Sequence, residues 1–324
     1  EEESAEGKEI LNRNGAGFRV YGFWDKVINL NECHLQAEPS NAIRKAARDY
    51  AIENELDFFD IAEKKGFLRA LTIRMSSTKE IMVLFQFFYE DASKRLGLLN
   101  YIKEQFPEIT SLLYTINYKG NETIFDLDII TFSGADCIYE EMEGLKFKIG
   151  PKSFYQTNSK QAYELYKVTR ELAQIEKNDI VYDLYTGTGT IAQFVGNNAL
   201  KVIGVESVPE AIKAAKENAN NNGIYNCKFY VGDMKEIFTE DFIRKNGQPD
   251  VIITDPPRDG MHKKVVGQLL DVYPKRIVYV SCNPATQARD LALMNEHYKV
   301  TKVQPVDMFP QTFHVENVVL LEKR

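Results

Sequence analysis

Two short motifs in the second half of the chain place reactive or charged groups directly after apolar runs. Asp255-Pro-Pro-Arg258 follows DVIIT, and Ser281-Cys282-Asn-Pro284 follows RIVYV. A cysteine leaving a core strand just ahead of a helix start, marked by Pro284, is placed for a lowered thiol pKa, and the thiolate is a nucleophile. Glu316, in Phe313-His-Val-Glu316 at the start of the last apolar run, is a candidate proton acceptor, with His314 as its rival. Each group also has a plain reading. A lone cysteine is more often a small core residue, a strand-end glutamate is often only solvated, and a lone histidine is commonly a satisfied surface or core group.

A second constellation reads as a nucleotide cradle. Asp183-Leu-Tyr185-Thr-Gly187-Thr-Gly189-Thr190-Ile-Ala192 follows the run IVYDL. Glycines at a strand-to-helix turn let backbone approach a ligand closely, and the helix N-terminus favours polar or anionic groups. Glu206 closes the next strand, seventeen residues after Gly189, where a carboxylate can accept from both ribose hydroxyls. Asp233 follows the third strand, within reach of an adenine ring. Gly-x-Gly-x-x-Ala alone also fits a nicotinamide-dinucleotide turn, or a tight turn holding nothing. Upstream, Phe154 and Gln156 stand at i and i+2 in GPKSFYQTN; on an extended segment they face one side and could hold a ligand.

The elements that must position these residues are legible. IVYDL (180–184), KVIGVE (201–206), CKFYVG (227–232), DVIITD (250–255) and RIVYVS (276–281) read as strands, with helices between them. Pro209 opens one of those helices and Gly223 stops it. Continuous rather than alternating apolar character implies a sheet covered on both faces, hence a doubly wound α/β domain. Ligands bind beyond the carboxyl ends of such strands, so all these motifs project onto one rim. YKVTKVQPVDMF and FHVENVVLLEK read as two strands joined directly, an antiparallel finish. Residues 16–146 differ. RALTIRMSS, EIMVLFQFF, SLLYTINYK and FDLDIITFSG alternate with the helical SNAIRKAARDYAIENE and DASKRLGLLNYIKEQF, the texture of a smaller α+β domain. The reading is therefore an acidic tail over 1–15, a central α+β domain over 16–146, and a ligand-binding α/β domain over 147–324.

A thiol matters for one kind of methyl acceptor. Oxygen and nitrogen already hold lone pairs, whereas carbon 5 of a pyrimidine must be activated by thiolate addition at carbon 6. SFYQTN, DLYTGTGT, the strand-end Glu206, TDPPRDG, VSCNP and HVENVVLL, in this order, resemble the RNA uracil-5-methyltransferase family. The resemblance covers residue 147 to the end and extends more weakly to GFRVYGFWDKVINLNECHLQ, which looks most like the ribosomal RNA members. It implies that 147–324 is a Rossmann-like methyltransferase domain with S-adenosylmethionine as cofactor and RNA, ribosomal by preference, as partner, the central domain over 16–146 being expected to contact that RNA. It implies cofactor roles for Gln156, Tyr185, Glu206, Asp255, Thr190 and Asp233 alongside Gly187, and substrate contacts for Phe154 and Arg258. Cys282 becomes the nucleophile and Glu316 the proton acceptor.

Two departures from the family pattern stand out. Many members begin with an OB-like RNA-binding barrel, and this chain opens after it, without an initiator Met. Several hold an iron–sulfur cluster through four cysteines; only Cys33 lies in that region, so no cluster and no metal are expected. Rival readings are a tRNA uridine-54 enzyme, an RNA cytosine-5 methyltransferase, amino-group methylation at the DPP motif, a nicotinamide-dependent oxidoreductase, and a non-enzymatic RNA-binding scaffold. The cytosine class carries a cysteine after Pro at the fourth strand, where Pro256-Pro257-Arg258 stands here.

Composition narrows the setting. The chain has 324 residues and a net charge of −7, four charges of which sit in its first ten residues. A generally basic nucleic-acid binder is excluded, but a local basic groove would suffice. The four cysteines show no CxxC-type pairing, and the polar opening EEESAEGKE is no signal peptide. A reducing cytoplasm fits both.

Overall fold

The computed structural model describes residues 14–324, so the expected acidic tail lies almost wholly outside the described residues. The chain divides into two compact units. One runs up to Tyr139 and includes Ile149–Lys152; the other comprises Glu140–Lys148 and Ser153–Arg324.

In the first unit, β1 (Phe18–Arg19) and β2 (Val27–Ile28) form a small hairpin. There follow α1 (Ser40–Glu53), β3 (Leu68–Met75), β4 (Ile81–Phe87), α2 (Ala92–Gln105), β5 (Ser111–Ile116) and β6 (Ile130–Gly134). Every strand and helix expected between residues 40 and 134 forms. The longer strands make one sheet in the order β3-β4-β5-β6. β4 and β5 pair in parallel, which requires a crossover, and α2 is that crossover. Asp91 starts α2 by accepting a hydrogen bond from Lys94 N. Phe67, Phe85, Phe87, Leu98 and Ile102 fill the core between sheet and helices, with Phe67 stacked on Phe87 at 4.6 Å.

The hairpin β7 (Ile138–Met142) and β8 (Leu145–Ile149) comes next, an element the sequence reading did not separate from its flanks. The second unit then continues with α3 (Ser159–Ala173), β9 (Ile180–Leu184), α4 (Thr190–Gly196), β10 (Lys201–Glu206), α5 (Pro209–Asn221), β11 (Cys227–Val231), α6 (Met234–Ile237) and α7 (Glu240–Asn246). It closes with β12 (Val251–Thr254), α8 (Lys263–Val272), β13 (Arg276–Ser281), α9 (Pro284–Met294), β14 (Tyr298–Val306) and β15 (Glu316–Lys323). A boundary at 146/147 would cut the hairpin. Residues 140–148 instead pack with the second unit: Lys146 N and Lys148 N donate to the Asn222 and Asn218 side chains, and Arg170 grips Glu143 through both guanidinium nitrogens.

Seven strands form the second sheet in the order β11-β10-β9-β12-β13-β15-β14. Neighbours from β11 to β13 are parallel, and β15 runs antiparallel to both β13 and β14. The doubly wound sheet with an antiparallel last strand is thus present, and that strand is slotted inside the sheet rather than added at its edge. Tyr182, Tyr279 and Tyr298 are fully buried, yet each phenol donates to a partner: Gly247 O, the Asp290 carboxylate and Pro274 O.

Asp183, near the end of β9, is an expensive member of this core. Its Oδ2 accepts from Thr186 Oγ1 and Ala192 N, while Oδ1 has no partner. Burial pushes its carboxyl up to about 7. Between the ordinary carboxylate range near about 4 and that value, the folded protein holds a proton the unfolded chain has lost, so stability falls as pH rises. Asp183→Asn keeps an oxygen for Thr186 and Ala192 and should flatten this slope. Thermal unfolding midpoints followed across that interval would show it; parallel curves for both proteins would refute it.

Candidate active site

The sheet order reverses between β9 and β12, and the crevice beyond their carboxyl ends is the expected ligand position. Gly187 and Gly189 both have left-handed backbone, at φ +54° and +76°, which turns the chain from β9 into α4. Tyr185 shares that conformation at φ +63°, a strained state for a bulky residue. A Cβ on Gly189 would lie 2.8–2.9 Å from the Phe229 ring and the Ala215 side chain, whereas one on Gly187 would meet nothing within 4 Å. Gly189 is therefore a packing glycine, and Gly187 borders open space.

Glu206 joins this turn. Its Oε2 accepts from Gly187 N at 3.2 Å, and its Oε1 from Ser207 N and Val208 N at 2.7 and 3.0 Å. Ser207 Oγ is a third donor to Oε1 at 2.9 Å, so the carboxylate is fixed at the strand end with Oε2 as the oxygen left to accept from a hydroxyl. Thr190 begins α4 with its hydroxyl against that of Thr188. Asp233 caps α6 by accepting from Lys235 N, and its exposed carboxyl titrates below the usual range because of that bond. Asp255 follows β12, its N–H on Leu184 O and its carboxyl raised well above normal by burial, then by Glu316 and Asp183. Phe154 is 76% exposed, Tyr155 is buried and Gln156 is half-buried, the alternation of an extended segment. Asn158 ties that segment to Met308 O in the loop leading to β15. The glycine turn that borders open space, the strand-end Glu206 carboxylate and the buried acid Asp255 are the kinds of group that would hold a nucleoside cofactor such as S-adenosylmethionine.

The candidate nucleophile and proton acceptor sit one strand over. β13 and β15 pair as far as Ser281 and Asn317, so Cys282 and Glu316 follow as the next opposed residues. Glu316 is only 8% exposed, and burial raises its carboxyl above the usual range while Arg258 opposes the rise. The Cys282 thiol is also raised, by burial and then by Glu316 and Asp255; Arg258, which donates to it, pulls the other way. This reverses the lowered thiol expected from sequence. The α9 N-terminus does begin at Pro284, but Asn283 caps it with its own side chain on Ala285 N, leaving the thiol between two carboxylates. His314 is partly exposed and stacks beside Phe313 at 4.2 Å.

Sequence reasoning missed the residues that hold these three in place. Asn283 Nδ2 and Thr286 Oγ1 both donate to Arg258 O, at 3.1 and 3.0 Å. Asp290, buried, accepts from Met261 N and Tyr279 Oη at 2.7 and 2.8 Å and pins the loop that carries Arg258. Gln287, also buried, bonds to β13 and β15. The signal was polar residues at 286, 287 and 290, spaced to line one face of a helix.

Residues 132–324, more than half of the chain, match the model of the tRNA (uracil-5-)-methyltransferase family. The chain belongs to that family. An RNA methyltransferase of Bacteroides thetaiotaomicron is 59% identical over 314 residues, spanning 96% of this chain and 69% of that protein. One of Bacillus cereus is 38% identical, spanning 95% and 67%. Among solved structures, the Pyrococcus abyssi tRNA (uracil-54, C5)-methyltransferase in complex with S-adenosyl-L-homocysteine superposes with a TM-score of 0.80 at 31% identity, covering 95% of this chain and 73% of that one.

Within this uracil-5-methyltransferase, two measurements test the site. Gly187→Ala should keep the fold, costing about 1 kcal/mol for the left-handed backbone, yet lower S-adenosylmethionine affinity about tenfold or more in calorimetry. Gly189→Ala should instead unfold more readily, by about 1–3 kcal/mol from overpacking. Equal affinity in Gly187→Ala and wild type would place the cofactor elsewhere. Alkylation of Cys282 by iodoacetamide, read by mass spectrometry against pH, should have its midpoint above that of an ordinary thiol, and Arg258→Ala should push it higher still. A midpoint below the ordinary value would contradict the charge arrangement.

Proposed function

We propose that the protein methylates carbon 5 of a uridine in ribosomal RNA through a covalent Cys282 adduct, with Glu316 as the base. The observation that carries this reading is the β13–β15 register, which ends at Ser281 opposite Asn317 and so leaves Cys282 and Glu316 at the same strand end, with Arg258 acting on both. S-adenosylmethionine supplies an electrophilic methyl group. The Cys282 thiol gives up its proton to solvent and the thiolate adds to carbon 6 of the ring; the carbon 5–carbon 6 electron pair then takes the methyl at carbon 5, leaving S-adenosylhomocysteine with the former carbon–sulfur pair. Arg258 favours the thiolate and stands where it can meet the uracil or its backbone. Glu316 then takes the carbon 5 proton; the freed electron pair restores the ring double bond and expels the thiolate. Its raised pKa suits it to this, because a desolvated carboxylate is a stronger base.

Phe154, exposed beside Gln156, supports a role in receiving the base. The β1–β2 hairpin of the first unit carries Tyr21, 91% exposed, Trp24, 62% exposed, and Phe23 with Lys26 5.0 Å above its ring. Aromatic and cationic groups displayed together suit single-stranded RNA, which supports the RNA-contacting role of that unit.

The preference for ribosomal RNA rests on the similarity of GFRVYGFW and CHLQ to ribosomal members. The likeness to the Pyrococcus abyssi tRNA enzyme favours uridine 54 of tRNA as the second reading. No helix among the described residues is long and apolar enough to cross a membrane.

Transcripts of 23S ribosomal RNA and tRNA, incubated with labelled S-adenosylmethionine, should separate these readings. Cys282→Ala should lose methyl transfer while retaining cofactor binding, and Glu316→Gln should leave RNA bound to Cys282 on a denaturing gel. Substantial turnover by Cys282→Ala would end the covalent mechanism.

A further inference from the structure

We infer that Gln287 is a positioning residue that holds Glu316 for proton removal, an inference that rests on the roles of Cys282 and Glu316 given above. Gln287 lies in the first turn of α9, buried, five residues after the nucleophile. Its amide nitrogen donates to Tyr279 O in β13 at 2.9 Å and to Asn317 O in β15 at 3.2 Å. Its amide oxygen accepts from Asn317 Nδ2 at 2.7 Å. The backbone pairing of β13 with β15 stops at Ser281 and Asn317. Gln287 thus supplies a cross-link where the ladder ends, one residue before Glu316.

Support for the other reacting group is separate. The carbonyl of Arg258, which acts on the thiol, is held by Asn283 and Thr286 and not by Gln287. Arg258 therefore has side-chain hydrogen bonds of its own at its carbonyl, whereas the two bonds between Gln287 and Asn317 bear on the strand end that carries Glu316. Without Gln287 the end of β15 loses two hydrogen bonds, both at Asn317, together with its tie through Gln287 to Tyr279 of β13, and a shift of about 1 Å in Glu316 suffices to slow proton transfer.

The test compares full-length wild type, Gln287→Leu and Asn317→Ala on RNA transcripts made with uridine or with 5-fluorouridine. Fluorine cannot leave as a cation, so the fluorinated ring stops at the methylated adduct and never calls on Glu316. On uridine RNA, both variants should turn over about tenfold or more slowly and accumulate protein–RNA adduct on a denaturing gel. On 5-fluorouridine RNA, adduct should form within about twofold of the wild-type rate. Equal slowing on both RNAs, or no slowing on either, would overturn the positioning role while leaving the covalent mechanism intact. Absence of adduct between wild type and the fluorinated RNA would instead bring down the Cys282 mechanism beneath it.

Discussion

The pairing of β15 between β13 and β14 is the constraint on which the catalytic unit depends. Side chains directly opposed across an antiparallel pair lie on the same face of the sheet, so the register that opposes Ser281 to Asn317 delivers Cys282 and Glu316 together. A slip of one residue would turn Glu316 to the other face. The apolar pattern does little to prevent that slip. Val318, Val319, Leu320 and Leu321 are all buried, so either face of the strand can sit in the core. What distinguishes one register from its neighbour is the polar end of the strand, where Asn317 finds a partner on α9.

The charges around the rim follow a common logic. Asp183, Asp255 and Glu316 are each raised by burial, and Arg258 works against the rise at Glu316. Such an arrangement is costly on its own and improves when a cation enters. In the proposed site, a sulfonium-bearing cofactor would be such a cation, offsetting part of this electrostatic cost.

Much of this was legible in the residues themselves. The five parallel strands announced themselves as β-branched runs, and the glycine turn with Glu206 gave the cradle because a short-range backbone requirement dictates residue type. The direct junction of the last two strands gave the antiparallel finish. Less accessible was anything set by distant partners. The β7–β8 hairpin was invisible as a separate element because its association with Asn218, Asn222 and Arg170 is tertiary. Gln287 and Asp290 looked like ordinary helix residues until both were found buried. The thiol of Cys282 was misjudged for a related reason: the helix start was visible, but the Asn283 side chain that occupies it, and the carboxylates facing it, were not.

That raised thiol has a consequence for the life of the protein between turnovers. Oxidants and electrophiles in a cell react with thiolates far faster than with thiols. Burial, and then the Glu316 and Asp255 carboxylates, hold the Cys282 thiol above its ordinary range, which favours the less reactive protonated form. In the proposed mechanism, the protonated state rather than a cover would slow sulfenic acid formation and stray disulfides at this half-open residue.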